Sequence, residues 1–248
     1  MQNYQDYSSS TIRAAIDSKL NVIVPIGAVE AHSAHLPLST DNCIAQGYVE
    51  ALAAKTDSLV LPLLPFGQTW SLQYAPGSIH IEEETMVSLL VDVLLSLDRQ
   101  GVKMVTLIST HIGNISAMKA AARKVYEKVP LKVLYLTYPG LSQAKTVFER
   151  LSQHGQYLHA DEIETSLMMH LRPDLVHMEH IQPGLLQVPA QTDYTPTRWT
   201  EFTDHYVVGD AALSTPEKGH KALDILVEAA AAIILKEKRA LTHGEKHV

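Results

Sequence analysis

The sequence predicts an α/β protein with a mostly parallel sheet that is covered by helices. Strand-like runs of Val, Ile and Leu alternate with amphipathic helical segments along most of the 248 residues, which is the pattern of βαβ units. The runs at 22–26 and 104–108 are almost entirely apolar, as expected of strands that are buried on both faces. The length suits one domain, which we expect to span residues 1–240, with a flexible tail at 241–248.

Four strands are predicted from short apolar runs. Each run ends at a glycine, a proline or a polar side chain, which marks the point where a strand leaves the sheet. In order along the chain, the predicted strands cover residues 21–27, 59–64, 102–109 and 131–137. The segment 66–81, after the second strand, contains Gly, Pro and isolated aromatic residues without a period. Long loops of this kind often carry function.

Helices are predicted where apolar residues recur at helical spacing. The segment 82–100 begins with acidic residues, which the positive end of the helix dipole favours, and Gly101 follows it. The last helix opens with Ser-Thr-Pro-Glu, a capping box with proline in the first turn. The first predicted helix follows the Ser8–Ser10 cap and runs to residue 20. The others cover 42–55, 82–100, 115–127, a stretch after the fourth strand to about 151, 160–171 and 214–239. Residues 174–210 are expected to be irregular.

The charge balance and the absence of long apolar runs exclude several classes of partner. With 20 basic and 27 acidic residues, the chain has a formal net charge of −7, which argues against nucleic acid or an anionic membrane. No apolar run approaches the roughly 20 residues of a membrane-spanning helix. The single cysteine, Cys43, suits a reducing cytosol. We therefore expect a cytoplasmic protein that acts on a small molecule.

The first predicted strand leads directly into a cluster of ionisable residues. Glu30 and His32 are two residues apart and project to the same side of an extended segment. Asp41 opens the next helix, and His111 follows the end of another strand. Ligands in open α/β sheets gather at the carboxyl ends of strands, so these side chains should lie close together. Imidazoles mixed with carboxylates favour Zn²⁺, Mn²⁺ or Fe²⁺ over Ca²⁺ or Mg²⁺.

A fifth candidate, Glu164, follows from helical period. It lies within the apolar stripe of the predicted helix 160–171, not on its polar face. A carboxylate on a buried face needs a cation, hydrogen-bond donors or a raised pKa. A metal ion would satisfy it, and His159, just before the helix, would then stand at the rim of the same site.

Each of these residues also has an explanation without a metal. Glu30 and His32 could form an ordinary loop pair, and Asp41 could be only a helix N-cap. His111 could be a hydrogen-bonded core histidine, and Glu164 could be paired with an arginine or a lysine. One shared site accounts for all five residues together, because they would need the same partner.

Several segments resemble the creatininase (creatinine amidohydrolase) family. PIGAVEAHSAHLPLSTD at 25–41 matches the family pattern P-x-G-x-x-E-x-H-G-x-H-L-P-x-x-x-D except at one glycine. The resemblance continues in order through most of the chain, in APGSI at 75–79, STHIGN at 109–114, HADEIETSLMM at 159–169 and GDAALSTPEKGHKA at 209–222.

This resemblance implies a three-layer α/β/α sandwich, a binuclear metal hydrolase and a homo-oligomer, usually a hexamer. Carried over to this chain, Glu30, Asp41 and His111 would bind one ion. His32, Asp41 and Glu164 would bind the other, so that Asp41 bridges the two. His159 would be the acid/base group, and Glu164 would be catalytic as well as a metal ligand.

The chain departs from the family pattern beside the implied metal site. The family has H-G-x-H where this chain has HSAH at 32–35, and G-H-G-G-N where it has THIGN at 110–114. Creatininases proper carry a carboxylate at the position of Gly113. The metal ligands survive these changes, but the departures predict a substrate other than creatinine.

The expected chemistry is hydrolysis of a small cyclic amide or a formamide. Two divalent ions about 3.5–4 Å apart can lower the pKa of a water molecule from about 15.7 towards 7, and the resulting hydroxide would attack the carbonyl carbon. Ring-opening hydrolysis of a keto sugar or keto-inositol, and a metallopeptidase, are the alternatives. The candidate substrate contacts are Trp70, Tyr74 and Ser78 in loop 66–81, together with Gly113, although Trp70 could equally serve in packing.

Overall fold

The strands of the computed structural model, which describes residues 2–153 and 157–243, form one parallel sheet. Every pairing between the named strands is parallel, so the predicted mostly parallel sheet is confirmed. The order across the sheet is β1-β3-β2-β4-β5. The strands are β1 (Gln2–Asn3), β2 (Asn21–Ile26), β3 (Leu59–Val60), β4 (Met104–Ser109) and β5 (Lys132–Leu136).

The α-helices follow the predicted order, and three short 3-10 helices border the site described below. The α-helices are α1 (Ile12–Lys19), α2 (Thr40–Thr56), α3 (Glu83–Arg99), α4 (Ile115–Tyr126), α5 (Leu141–Ala144), α6 (Glu162–Leu171) and α7 (Pro216–His243). The 3-10 helices are Trp70–Leu72, Ile112–Asn114 and Trp199–Glu201. No helix in the described ranges is long and apolar enough to cross a membrane.

Two separate apolar cores show that the sheet is the middle of three layers. Successive side chains of a strand point to opposite faces, and in β2 Ile23 packs with α2, α6 and α7, whereas Val22 and Val24 pack with α1, α3 and α4. In β4, Ile108 joins the first core and Leu107 the second. The expected α/β/α sandwich is therefore confirmed, and the apolar runs of β2 and β4 are buried on both faces because each face contacts a helical layer.

The predicted helix after β5 is much shorter than expected. α5 ends at Ala144, and the backbone is already extended at Phe148. The next two backbone N–H groups, of Glu149 and Arg150, donate to Oε2 of Glu162 at 2.9 and 2.7 Å. A carboxylate from a distant helix thus takes the donors that a longer α-helix would have used.

Several other boundaries differ from the prediction, and the edge strand β1 was not predicted at all. β3 stops at Val60 because Pro62 has no N–H, and the chain beyond it contacts the β2 segment through separate hydrogen bonds at Leu61 and Leu64. α6 begins at Glu162, after Asp161 caps it through the N–H groups of two following residues. The last helix continues past 239 to His243, because Leu241 packs against the core. Residues 241–243 of the expected tail are therefore helical, and 244–248 lie outside the described residues.

The strand register brings two polar strand ends to one edge of the sheet. β2 and β4 are neighbours, with Ile26 opposite Ser109, so the segments that leave them start side by side. The hydroxyl of Thr110 donates to the carbonyl oxygen of Asp41 at 2.7 Å, which ties the start of α2 to the end of β4. The residues that carry ionisable groups after both strands are therefore held together.

Candidate metal centre

Glu30 and His32 are fixed by the backbone that leaves β2. The N–H of Glu30 donates to the carbonyl oxygen of Leu38 at 3.1 Å and closes the loop between them. His32 is oriented by its Nδ1, which lies 3.0 Å from the carbonyl oxygen of Glu30. Because a carbonyl only accepts, Nδ1 carries the proton and Nε2 presents a lone pair. Both side chains are almost completely buried.

Asp41 and His111 meet Glu30 from two other elements. His111 donates from Nε2 to the carbonyl oxygen of Gln68 at 2.8 Å, which turns Nδ1 towards the carboxylates. Nδ1 lies 3.3 Å from Oε2 of Glu30 and 3.3 Å from Oδ2 of Asp41. Asp41 is the second residue of α2, and its side chain does not cap that helix. The N-cap explanation of Asp41 is therefore wrong.

Glu164 reaches the cluster from the buried face of α6. It is 3 % exposed, and its Oε2 accepts a hydrogen bond from the N–H of Ala160 at 2.7 Å. The same oxygen lies 3.5 Å from Nε2 of His32. No arginine or lysine pairs with Glu164 in the part of the chain that the structure describes, so the ion-pair alternative finds no support there.

The ligand atoms of these residues form three compact groups. In each group, one atom from every residue lies within 4.8 Å of the others. Two groups share Asp41, and they coincide with the two ligand sets that the resemblance implies. The groups are Glu30, Asp41 and His111; His32, Asp41 and Glu164; and Glu30, His32 and His159. The five predicted ligands and His159 are thus brought to one place.

Two buried polar atoms within the groups have no hydrogen-bond partner among the described residues. They are Nε2 of His32 and Oδ2 of Asp41. A buried polar atom without a partner costs about 1–3 kcal/mol, so such atoms need an explanation. A divalent cation would accept both lone pairs, and a mixture of imidazole nitrogen and carboxylate oxygen suits Zn²⁺, Mn²⁺ or Fe²⁺. The residues present therefore fit a transition-metal centre.

The protonation of the cluster also fits a metal centre. Burial raises the pKa of Glu30 to about 7 and that of Glu164 well above its usual value. Burial opposes charge on His111 as well, but the adjacent carboxylates of Glu30 and Asp41 outweigh it and raise its pKa to about 10. The buried cluster thus holds protons at neutral pH. Cations bound among these groups would displace them, so metal binding here should release protons.

His159 lies above the cluster with one free ring nitrogen. Its Nε2 donates to the carbonyl oxygen of Ala31 at 2.7 Å, so Nδ1 is the unprotonated nitrogen. Nδ1 is 3.8 Å from Oε2 of Glu30. The ring packs on that of His32 at 4.1 Å between centroids, and burial with the nearby His32 holds the pKa of His159 well below its usual value. This neutral imidazole can accept a proton at Nδ1.

A cavity of about 230 Å³ opens onto the cluster. Glu30, His111, His159 and Glu164 form its floor, and Gln68, Thr69 and Ser71 from the loop 66–81 form part of its wall. Two residues that the sequence reasoning missed, Tyr157 and Trp199, also line it. Tyr157 is two residues before His159, which is the one signal that could have indicated it.

The four predicted substrate contacts fall in different places. Gly113 lines the cavity, whereas Trp70, Tyr74 and Ser78 are not among the described residues that do. Ser78 instead accepts a hydrogen bond from the N–H of Ala31 at 3.0 Å and so supports the segment between Glu30 and His32. The rings of Trp70 and Tyr74 pack against Arg198.

A buried histidine beside the cluster makes stability depend on pH. His35 is fully buried, its Nε2 lies 3.0 Å from Oγ1 of Thr165, and burial lowers its pKa to about 4. Because the unfolded value is near 6.5, the stabilisation by neutral His35 is complete above pH 6.5 and is lost as the pH falls from 6.5 through 4. The loss amounts to about 3 kcal/mol of unfolding free energy.

We expect His35→Gln to remove this dependence, since glutamine can still bond to Thr165 but does not titrate. Urea unfolding of the metal-free protein at pH 7 and at pH 4 measures the gap in unfolding free energy, wild type minus variant. This gap should fall by about 3 kcal/mol between pH 7 and pH 4. His205→Gln, at an exposed position, is the control and should follow the wild type. A gap that stays constant with pH would contradict the assignment.

Comparison with known proteins supports a single family. The family model described as "Creatininase: Creatinine amidohydrolase" matches residues 5–234. A creatinine amidohydrolase of Pseudomonas putida is 24% identical over 231 residues, which are 87% of this chain and 89% of the relative. A 3-dehydro-scyllo-inosose hydrolase of Thermotoga maritima is 23% identical over 91% of this chain and 80% of its own. A mycofactocin precursor peptide peptidase of Mycolicibacterium smegmatis is 28% identical over 66% of this chain and 62% of the relative.

Solved structures agree with the fold. A variant creatininase of the Zn-Zn type superposes with a TM-score of 0.83 at 21% identity, over 95% of this chain and 97% of that one. A manganese creatininase superposes with a TM-score of 0.82 at 22% identity, over 95% of this chain and 98% of that one. The family match covers most of the sequence, and the resemblance expected from the motifs is confirmed. The chain belongs to the creatininase family of amidohydrolases.

Proposed function

We propose that this chain is a binuclear metal-dependent hydrolase that cleaves the C–N bond of a small cyclic amide or a formamide. The observation that carries the proposal is the pair of three-residue groups that share Asp41. One carboxylate with two oxygens can face two ions at once, and paired ions are a recurrent arrangement in hydrolases. Glu30 and His111 would complete the first site, and His32 and Glu164 the second.

The chain's own residues account for binding and proton transfer. When bound, two divalent ions supply Lewis acidity towards the substrate carbonyl and lower the pKa of water. Nδ1 of His159 lies 3.8 Å from Oε2 of Glu30, and both residues line the cavity, where His159 can take a proton from the attacking water and return it to the leaving nitrogen. General acid–base catalysis of this kind contributes about 10²–10⁴-fold. Glu164, on the other side of the cluster, is the second proposed catalytic residue and also a ligand.

The size of the cavity favours a small substrate over a peptide. Its 230 Å³ is below the roughly 300–1,000 Å³ of pockets that hold drug-sized ligands. A five- or six-membered ring or a short formamide fits such a space, whereas an extended peptide would need an open groove. Gly113 also lines the wall, and a Cβ at this position would lie 2.4 Å from both Nε2 of His111 and the carbonyl oxygen of Gln68, so the absence of a side chain permits the hydrogen bond that orients His111.

A second candidate is ring-opening hydrolysis of a keto sugar or keto-inositol. The relative in Thermotoga maritima, which is named for hydrolysis of a keto-inositol and aligns over 91% of this chain, favours it. The same ligands and the same His159 would serve, because both reactions attack a carbonyl carbon. The two candidates differ only in the group that leaves.

Reconstitution with defined metals tests the proposal. The purified protein is stripped with a chelator, reloaded with Zn²⁺, Mn²⁺ or Fe²⁺, and assayed against cyclic amides, formamides and keto-inositols by mass spectrometry. We expect two ions per chain and turnover of an amide class. Turnover of keto-inositols alone would transfer the proposal to the second candidate, and fewer than two ions per chain would contradict it.

Assembly and location complete the proposal. By family resemblance we propose a homo-oligomer, specifically a hexamer, that acts in the cytoplasm. Analytical ultracentrifugation of the reloaded protein measures the assembly directly, and a monomeric mass at micromolar concentration would contradict it.

A further inference from the structure

Arg198 packs against two aromatic rings of the loop 66–81. Its Cζ is 4.8 Å from the centroid of the Tyr74 ring and 5.3 Å from that of Trp70. Both distances are within the range of favourable cation–π contact. Arg198 immediately precedes the 3-10 helix Trp199–Glu201, so the contact joins two segments that are more than a hundred residues apart in sequence.

The guanidinium of Arg198 has no anionic partner in the described ranges. Its backbone N–H donates to Oε1 of Glu201 at 3.2 Å, but no carboxylate of residues 2–153 and 157–243 forms a salt bridge with the side chain. Its Nε is buried and makes no hydrogen bond among these residues. In a chain with 27 acidic and 20 basic residues, a partly buried arginine without a carboxylate is a feature that requires an explanation.

Cation–π contact with the two rings does not use the N–H donors of the guanidinium, so these donors remain available to a partner. A planar row of N–H donors matches the two oxygens of a carboxylate or a phosphate, which arginine binds in a bidentate manner. The aromatic contacts also hold the side chain in place, which reduces the entropy lost when an anion binds.

The position of Arg198 connects it to the cavity. Thr69 and Ser71, on either side of Trp70, line the cavity, and so does Trp199, the next residue after Arg198. The ring of Trp199 is 5.3 Å from that of His159. No lysine or arginine is among the described lining residues, whereas Glu30 and Glu164 are. Arg198 is not itself a lining residue, but it adjoins the lining residue Trp199 in sequence and contacts Trp70, which lies between two lining residues, so its guanidinium is placed beside this wall of the cavity.

We propose that Arg198 is a specificity-determining residue that binds an anionic group, a carboxylate or a phosphate, on the substrate at a distance from the bond that is cleaved. The inference rests on the proposed hydrolysis of a small amide and names its substrate class: an amide that carries a negative charge. Trp70 and Tyr74 orient Arg198 instead of contacting the reacting atoms. Binding energy from such a remote group can hold the carbonyl in place for attack.

The two tryptophans of the chain make binding measurable without turnover. Trp70 and Trp199 are the only two, and both adjoin Arg198, so intrinsic fluorescence reports on this wall. The probes are N-formylglycine, N-formylphosphoethanolamine and the neutral N-formylglycinamide, each titrated into the metal-loaded protein. We expect the anionic probes to bind more tightly than the neutral one, and the better of the two anions identifies the natural group.

The variant Arg198→Gln should weaken binding of the anionic probes about 10- to 100-fold, the usual effect of losing a hydrogen bond to a charged group. Binding of N-formylglycinamide should change less than about threefold, and Arg198→Lys should be intermediate because it keeps the charge but not the planar donors. Circular dichroism and two bound ions per chain establish that each variant is folded.

The possible outcomes separate this inference from the proposed function. Equal weakening for anionic and neutral probes would show that Arg198 only joins the two segments, and would overturn the inference. Wild-type protein that binds the anionic probes no better than the neutral one would also overturn it. If instead Arg198-dependent binding occurs but no formamide or cyclic amide is hydrolysed, the anion site stands and the proposed function fails.

Discussion

Asp41→Asn is expected to remove both metal ions and all turnover. Asparagine has the shape of aspartate, so the fold should persist, but it lacks the charge and one of the two acceptor oxygens. Asp41 belongs to both proposed ligand groups, and its buried Oδ2 makes no hydrogen bond among the described residues, although Nδ1 of His111 lies 3.3 Å away. Loss of a group that only supports a ligand costs about 10–100-fold in metal affinity, and loss of a shared ligand should exceed that range.

Metal content per chain, measured by mass spectrometry of the purified and reloaded variant, checks this expectation. Asp92→Asn on the exposed side of α3 changes the same charge far from the site and should retain two ions and wild-type activity. Retention of two ions by Asp41→Asn would show that the two groups do not share this carboxylate, and the proposed binuclear arrangement would be wrong.

His159→Gln is expected to lower kcat by about 10²–10⁴-fold, the contribution of a positioned general acid or base. Glutamine can still donate to the carbonyl oxygen of Ala31, so the surrounding backbone should keep its position. The variant loses the nitrogen that accepts and returns the proton. Both metal ions should remain bound, because the two groups that share Asp41 are intact.

The metal content of the variant distinguishes a role of His159 in proton transfer from a role as a metal ligand. His159 also belongs to a third compact group with Glu30 and His32. If it were a ligand, His159→Gln would lose an ion together with activity. His177→Gln, at an exposed position, is the control and should leave kcat and metal content unchanged. A variant that keeps both ions and full kcat would exclude His159 from the reaction.

The local pattern of the chain predicted the parts of the site that depend on short-range geometry. Glu30 and His32 follow a buried strand and are two residues apart, and Glu164 interrupts an apolar stripe on a helix. Periodicity and spacing of this kind depend only on the local strand or helix and not on the rest of the fold. The convergence of these residues also follows from a general property of parallel sheets, whose carboxyl ends lie at one edge.

The cavity wall could not be predicted in the same way. Residues 174–210 have no apolar period, so nothing in the sequence indicated that Trp199 would lie over His159 or that Arg198 would pack on Trp70 and Tyr74. Likewise, the helix predicted to continue to about 151 ends early because the carboxylate of Glu162, eleven residues later, takes two of its backbone donors. Such outcomes depend on which distant group contacts a free donor or ring in the folded chain.

The sequence by itself determined the α/β class, the buried strands and the acids and imidazoles that need a common partner. These features rest on periodicity and on the cost of burying charge, which act within a few residues or on each side chain separately. The tertiary structure alone decided the boundaries of the cavity, the free nitrogen of His159 and the position of Arg198. Each of these depends on hydrogen bonds or ring contacts between segments far apart in the chain, and only the packed fold sets those distances.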